Sequence, residues 1–401
     1  MPSKTAIEPE GRQLEKIATD TSDFGTIRTA GYTHVDKTGA LYPLVNDSIG
    51  RQFFLARPHR FGKSLLVSML QRLFEGRRDL FAGLAIDMLP WDWSAKHPVI
   101  RLDMGMCAGE TVAAVERRVL ATLRAEAERL GVSLRDEGSP VSCFRSLIDD
   151  VAATGSSGQV VLLVDDYDKP LTHWIGTTEV LPYQDFLSSF YTVIKATGSK
   201  QRFCLVTGVC RFPMASMSSG LNNLTDITMD ARFSSLLGYT RDEVRSSFPR
   251  RLATLARQLG TDVDSTVARL ADMYGGYCFD RSMVQVFNPV SLGRCLDTAD
   301  LRSYWFETGT PGWLLPLVKR RPQGIDTGSL EVSGDQLDTF DPSFPCMTSA
   351  LFQTGYLTIK GCEMLGRRRV YQLGFPNYEV EDAFNAHLAN AYTGDSGASR
   401  G

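Results

Sequence analysis

Over the first 230 residues the apolar positions alternate between short continuous runs and stretches of helical spacing. Residues 52–56, Gln-Phe-Phe-Leu-Ala, predict a short buried strand. A tight loop spans 57–62, and residues 64–74 then place Leu65, Met69, Leu70 and Phe74 at helical spacing, with Gly76 as a stop. Residues 98–103 predict a second strand, and the Ala-, Arg-, Glu- and Leu-rich run 111–130 a long helix ended by Gly131. A helix is expected over 143–153. Residues 160–164, Val-Val-Leu-Leu-Val, are β-branched and continuous, the pattern of a strand buried on both faces. A helix over 183–196 and a strand over 203–207 complete the series. Strands alternating with helices predict an α/β core with a parallel sheet covered on both faces.

Beyond residue 242 the pattern turns helical, over 241–259 and 265–274, and predicts a helical lid. A polar stretch, 321–338, reads as a linker. A helix at 349–353 and strands at 357–359 and 370–373 then suit a winged-helix-like module. The expected division is a flexible N-terminus (1–22), an α/β core (23–238), a helical lid (239–320), a linker (321–338), a winged-helix-like module (339–390) and a disordered Gly/Ser-rich tail (391–401). No internal repeat is evident.

Composition narrows the classes. The chain has 401 residues, 43% hydrophobic and 22% charged, enough for more than one core without metal or disulfide staples. A net charge of -3 gives no global pull toward nucleic acid, although Arg367, Arg368 and Arg369 form a local basic run. The eight cysteines have no Cys-x-x-Cys spacing, so a zinc ribbon is not expected, and buried reduced thiols are. No apolar run approaches the ~20 residues that span a bilayer. The N-terminus lacks the apolar segment of a signal peptide. A cytoplasmic location and no membrane partner are therefore expected.

The chemistry concentrates at strand ends. Strand, loop, Gly62-Lys63-Ser64, helix is the setting of a phosphate-binding loop: backbone N–H groups and the helix N-terminus face phosphate oxygens. Lys63 would reach the β- and γ-phosphates, and the Ser64 hydroxyl would sit on magnesium. The usual first glycine is missing, and Arg57 stands there, followed by Pro58, His59, Arg60 and Phe61. Taken alone, Gly-Lys-Ser is three common residues that a surface loop could carry; its context adds the weight. Downstream, the strand at 160–164 ends in Asp165 and Asp166. A parallel strand delivers its terminal carboxylates to the sheet edge where phosphates bind. Asp165 would hold magnesium, and Asp166 would polarise an attacking water. At the tip of the next strand Thr207 is placed to meet the γ-phosphate, and Arg211 to add positive charge, with a surface ion pair as the plain alternative for Arg211. His173 lacks any nucleophile elbow and reads as solvated.

These residues resemble the bacterial AAA-ATPase-like family, whose degenerate loop reads Arg-Pro-x-Arg-Phe-Gly-Lys-Ser; residues 57–64 match it. The resemblance continues through residues 32–38 (Tyr-Thr-His-Val-Asp-Lys-Thr), 164–170 (Val-Asp-Asp-Tyr-Asp-Lys-Pro), 207–212, 221–227, 274–277, 287–289, 304–311, 351–358 and 376–380. It implies a P-loop NTPase fold of the ASCE type with ATP and Mg2+ as cofactors. Residues 57–65, from Arg57 to Leu65, would cradle the nucleotide, Ser64 and Asp165 the metal, and Lys63, Asp166, Thr207 and Arg211 would act in catalysis. The chain departs from the family in two ways. Asp166 replaces the usual Glu. No Glu-x-Lys triplet occurs, so the nuclease activity associated with many relatives is not expected. Slow ATP hydrolysis driving a conformational switch is the leading expectation. The alternative is a nucleotide-gated or inactive scaffold binding a protein or nucleic-acid partner through the C-terminal module. An oligomer is compatible with either, and Arg211 acting across an interface would require one.

Overall fold

The computed structural model describes residues 14–135, 138–212, 221–305, 313–319, 330–338 and 340–393. Five parallel strands form the central sheet: β1 (Gln52–Ala56), β2 (Val99–Asp103), β3 (Val160–Asp165), β4 (Gln201–Gly208) and β5 (Thr225–Asp226). Their spatial order is β2-β3-β4-β1-β5. The loop-bearing strand β1 is thus separated from the acid-bearing strand β3 by β4, the strand arrangement of an ASCE-type P-loop NTPase. Every residue of β3 is buried. Burying each of its apolar side chains is worth roughly 1.5–3 kcal/mol, which explains why a run with no polar alternation sits at the centre of the sheet.

Helices follow the strands. Lys63–Phe74 and Pro140–Thr154 pack on β3, and Val112–Arg129 packs on β2. Side chains set the helix starts: Thr111 accepts from the N–H of Ala114, and Ser139 from that of Ser142. Ahead of β1 the chain forms two short helices, Phe24–Thr29 and Thr38–Val45.

The helical unit has its own apolar cluster, including Val244, Phe248, Leu252, Leu255, Val267 and Leu270. The single helix expected over 241–259 is two, Arg241–Ser247 and Pro249–Gln258. Pro249 has no N–H to continue the first helix and pushes Phe248 out of helical geometry, at φ -128° and ψ 42°.

The C-terminal unit contains the antiparallel sheet β6-β8-β7, with β6 (Leu330–Ser333), β7 (Thr358–Leu365) and β8 (Arg368–Gly374). Two expected boundaries change. The described part of the 321–338 linker is strand β6 and a helical turn, Gly334–Asp338, because Val332 finds a partner in Tyr371. The helix Tyr378–Thr393 runs into the expected tail. Residues 14–22, expected to be mobile, are tied down: the Glu15 carboxylate accepts from the N–H groups of Arg250 and Arg251, and Arg251 Nε donates to the Glu15 carbonyl. The expectations for residues 1–13, 321–329 and 394–401 lie outside the described residues.

All eight cysteines are free thiols, six of them buried. Among the described residues no helix is long and apolar enough to cross a membrane.

Candidate functional site

β1 ends at Ala56, and the chain turns through Arg57–Phe61 into the helix beginning at Lys63. Two residues of this loop hold a left-handed backbone, Arg60 at φ 68° and Gly62 at φ 94°. Gly62 is the residue that reaches this conformation without strain, and it aims the first turn of the helix back across the loop. No side chain caps that helix. Its leading N–H groups, unlike those beginning at Val112 or Pro140, are left to an anion from elsewhere.

Arg57 explains how the loop manages without its first glycine. Its side chain does not face the phosphate position. It is buried beneath the loop, where Nη1 donates to the carbonyls of Ala56 (2.9 Å) and Thr228 (2.6 Å). The guanidinium lies over the Phe279 ring, 4.4 Å from its centroid. Burial lowers its pKa to about 10, with Asp280 and Asp226 opposing. Pro58 packs against Gly355, and Phe61 makes edge contacts with Tyr277 (4.8 Å) and Phe279 (5.2 Å). Arg57 and Pro58 therefore anchor the loop toward the helical and C-terminal units, and neither lines the cleft beside the loop. His59, Arg60, Phe61, Gly62, Lys63, Ser64 and Leu65 do line a cleft of about 450 Å³.

Lys63 is buried and donates to the carbonyls of Arg57 (3.0 Å) and Pro58 (3.3 Å). Its Nζ lies 3.9 Å from Asp166 Oδ1. The loop lysine and the end of β3 thus meet at one sheet edge. Asp165 is buried and accepts from the Thr207 hydroxyl at 2.7 Å. Asp166 takes a left-handed backbone at φ 50°, which turns its side chain out of the strand toward the loop. Asp168 is buried and accepts from the N–H groups of Val209 (3.1 Å) and Cys210 (2.8 Å). Burial, then Asp166 nearby, raises its pKa to about 6. It fixes the loop after β4 rather than facing the lysine.

Thr207 and Arg211 both have partners within the chain. The Thr207 hydroxyl donates to Asp165 and so orients that carboxylate. Arg211 turns to the opposite side of β1. Its Nη2 pairs with Asp226 Oδ2 at 2.6 Å, and its backbone N–H donates to Gln353 Oε1 at 2.7 Å. The ion pair is the outcome because β5 lies next to β1 and brings Asp226 within reach.

The strand register adds residues that sequence reasoning missed. Asp103 ends β2 and stands opposite Asp165. Burial and the neighbouring Asp165 and Asp166 hold its carboxyl above the usual range. The signal was present: residues 98–103 also form an apolar strand ending in Asp. Lys37 joins the cleft wall and is bound by Glu243 and the Ser235 carbonyl (2.8 Å). The far wall of the cleft is apolar, with Ile17, Val35, Leu237, Phe248 and Pro289.

Comparison with known proteins agrees with this geometry. A family model described as Predicted AAA-ATPase matches residues 18–218. The chain belongs to the AAA-ATPase-like family. An uncharacterized protein of the vnfD 5' region in Azotobacter chroococcum mcd 1 is 34% identical to this AAA-ATPase-like protein over 381 residues, covering 94% of the chain and 70% of the relative. Among solved structures, the ORC1 protein of Aeropyrum pernix in complex with DNA aligns over 88% of this chain and 93% of its own, at 12% identity and a TM-score of 0.31. A likeness that low carries no argument.

Family and sheet order make the role of this AAA-ATPase-like protein nucleotide-binding. The donor set also fits magnesium. Among the described residues no group of three or more His, Cys, Asp or Glu side chains forms a metal cage. Magnesium beside a nucleotide does not need one, since phosphate oxygens and waters fill most of its positions. A buried carboxylate steered by a neighbouring hydroxyl, at the edge where the loop lysine lies, suits that chemistry.

Proposed function

We propose that the chain binds ATP with magnesium at the loop 57–65, hydrolyses it slowly, and passes the nucleotide state to the C-terminal unit. The observation that carries this reading is the convergence of Lys63 with the carboxylate-bearing end of β3, 3.9 Å from Asp166. The uncapped N–H groups at Lys63 would bind the β-phosphate, and the Lys63 ammonium would neutralise charge growing on the β–γ bridge. Ser64 and Asp165 would hold the metal, which when bound supplies further charge neutralisation. Thr207 keeps Asp165 oriented. Asp166 takes a proton from water as the water oxygen bonds to the γ-phosphorus, and the bridge oxygen leaves with its electron pair on ADP. The apolar wall of Val35, Leu237 and Phe248 would receive the base, which favours a flat adenine ring.

The switch has a supporting path. Arg57, Pro58 and Phe61 are wedged against Phe279, Gly355 and Tyr277, so motion of the phosphate loop is transmitted to both downstream units. The partner surface we favour is the β7–β8 hairpin, where Met364 and Leu365 are exposed beside the run Arg367–Arg369. A protein or nucleic acid would fit there.

Binding of fluorescent ATP with magnesium to the unaltered chain and to Lys63→Ala tests the central claim. Loss in the variant supports it; equal binding overturns it.

One observation favours a second reading, a nucleotide-gated scaffold with negligible turnover. Asp166 is a methylene shorter than the family's Glu and faces Lys63. Asp166→Glu separates the two readings. A rise in turnover supports a base limited by its reach, and unchanged turnover favours the scaffold.

A further inference from the structure

A second cavity, of about 540 Å³, opens on the outer side of Asp166. Two residues, His59 and Asp166, line both it and the nucleotide cleft. The cavities therefore meet at the point where the γ-phosphate would end. Its remaining wall includes the Asp168 carboxylate, which accepts from the N–H groups of Val209 and Cys210, and otherwise has two characters. Lys169 is half-buried there, with no ion pair or side-chain hydrogen bond among the described residues. The hydroxyls of Thr172 and Thr177 donate to the carbonyls of Lys169 and Trp174. Opposite lie Ile175, Trp313 and Leu317, an apolar floor. Trp313 and Leu317 come from the chain at and within helix Leu314–Lys319, far along the sequence, so the cavity is built between the α/β core and the later units.

We propose that this cavity is a second ligand site, for a small molecule carrying a phosphate or carboxylate group and an apolar body, bound side by side with the nucleotide. The inference rests on nucleotide occupying the cleft next door. Lys169 takes the anionic group, since a half-buried ammonium without a partner is costly and gains most from a charged ligand. The apolar body lies on Trp313 and Leu317. His59 stays neutral between the two ligands: burial, with Lys63, Lys169 and Arg60 close by, lowers its pKa to about 3. A neutral imidazole can donate to one ligand and accept from the other without adding charge. Because His59 and Asp166 are a common wall, the two ligands bind interdependently, and each changes the other's affinity by the same factor.

The test uses the full chain and calorimetry. The protein is first titrated with the non-hydrolysable analogue AMP-PNP and magnesium. It is then titrated, once saturated, with inorganic phosphate and with phenyl phosphate. Both probes are expected to bind the saturated protein, phenyl phosphate more tightly. Lys169→Ala should weaken both at least tenfold while leaving AMP-PNP affinity in the absence of anion unchanged, which also shows that the variant is folded. Absence of AMP-PNP binding would overturn the nucleotide reading. Normal AMP-PNP binding with no anion binding, or anion binding indifferent to Lys169→Ala, would overturn this proposal alone.

Discussion

The Thr207 hydroxyl, fully buried at the tip of β4, donates to Asp165 Oδ1 across the neighbouring strand at 2.7 Å. A buried carboxylate keeps one rotamer when a fixed donor holds it, and a metal bound by such a carboxylate inherits that geometry. Thr207→Val has nearly the same shape but no donor. It should weaken the magnesium dependence of ATP binding and turnover by roughly 10–100-fold, whereas Thr207→Ser should stay near the unaltered chain. Magnesium titrations at fixed ATP check this. Equal behaviour of the Val and Ser variants would remove the hydroxyl from the argument.

Gly355 faces Pro58 of the phosphate loop. Its φ is +87°, and an added Cβ would lie 2.9 Å from Pro58 Cβ and Cγ. Gly355→Ala combines a disfavoured backbone with a clash in the loop, so it should lower stability by about 1–3 kcal/mol. It should also weaken ATP binding although residue 355 lies in the C-terminal unit. Thermal melting together with ATP titration checks both effects. A stability loss with ATP affinity unchanged would show that the contact does not transmit to the site.

Arg211 offers a contrast. The Arg211–Asp226 pair is mostly shielded, with side chains 13% and 26% exposed. Breaking one partner of such a pair should cost more than the ~0–1 kcal/mol of an exposed one. Arg211→Met should therefore lower the melting temperature and leave turnover per folded molecule within about threefold. An arginine acting on the phosphates would be worth 10³-fold or more. A selective collapse of turnover in a stable variant would restore the catalytic role.

Glu379 supplies a pH dependence. Its Oε1 accepts from the N–H groups of Tyr304 and Trp305, and its side chain is fully buried. Burial raises its pKa from 4.5 to about 7 against those hydrogen bonds. The folded chain then holds a proton that the unfolded chain has released, so stability falls as pH rises from about 4.5 through about 7. The loss is on the order of 3 kcal/mol at most. Glu379→Gln should flatten this slope in denaturant melts from pH 5 to 8. An unchanged slope would place the titration elsewhere.

Much of the site was legible because it depends on local order. An apolar run is buried as a strand wherever it falls, and a parallel strand's last residue reaches the ligand edge. Asp165, Asp166 and Lys63 could therefore be chosen before any fold was known. Asp103 obeys the same rule and could have been chosen too. The role of Arg57 was not legible, and for Arg211 the ion pair stood as an alternative without a partner to name. Each depends on a partner distant in sequence, Phe279 for one and Asp226 for the other, and a long cationic side chain goes wherever the fold supplies a carbonyl, ring or carboxylate.

The sequence by itself determined the strand and helix alternation, the phosphate loop and the acids at the end of β3, because periodicity and strand polarity are short-range properties. Only the tertiary structure decided that β4 lies between β1 and β3, that Thr207 serves Asp165, that residues 17–22 line the cleft, and that a second cavity shares Asp166. Those outcomes follow from which surfaces bury each other. Packing of that kind is settled by the whole chain together, since each buried face requires a partner that its own segment does not contain.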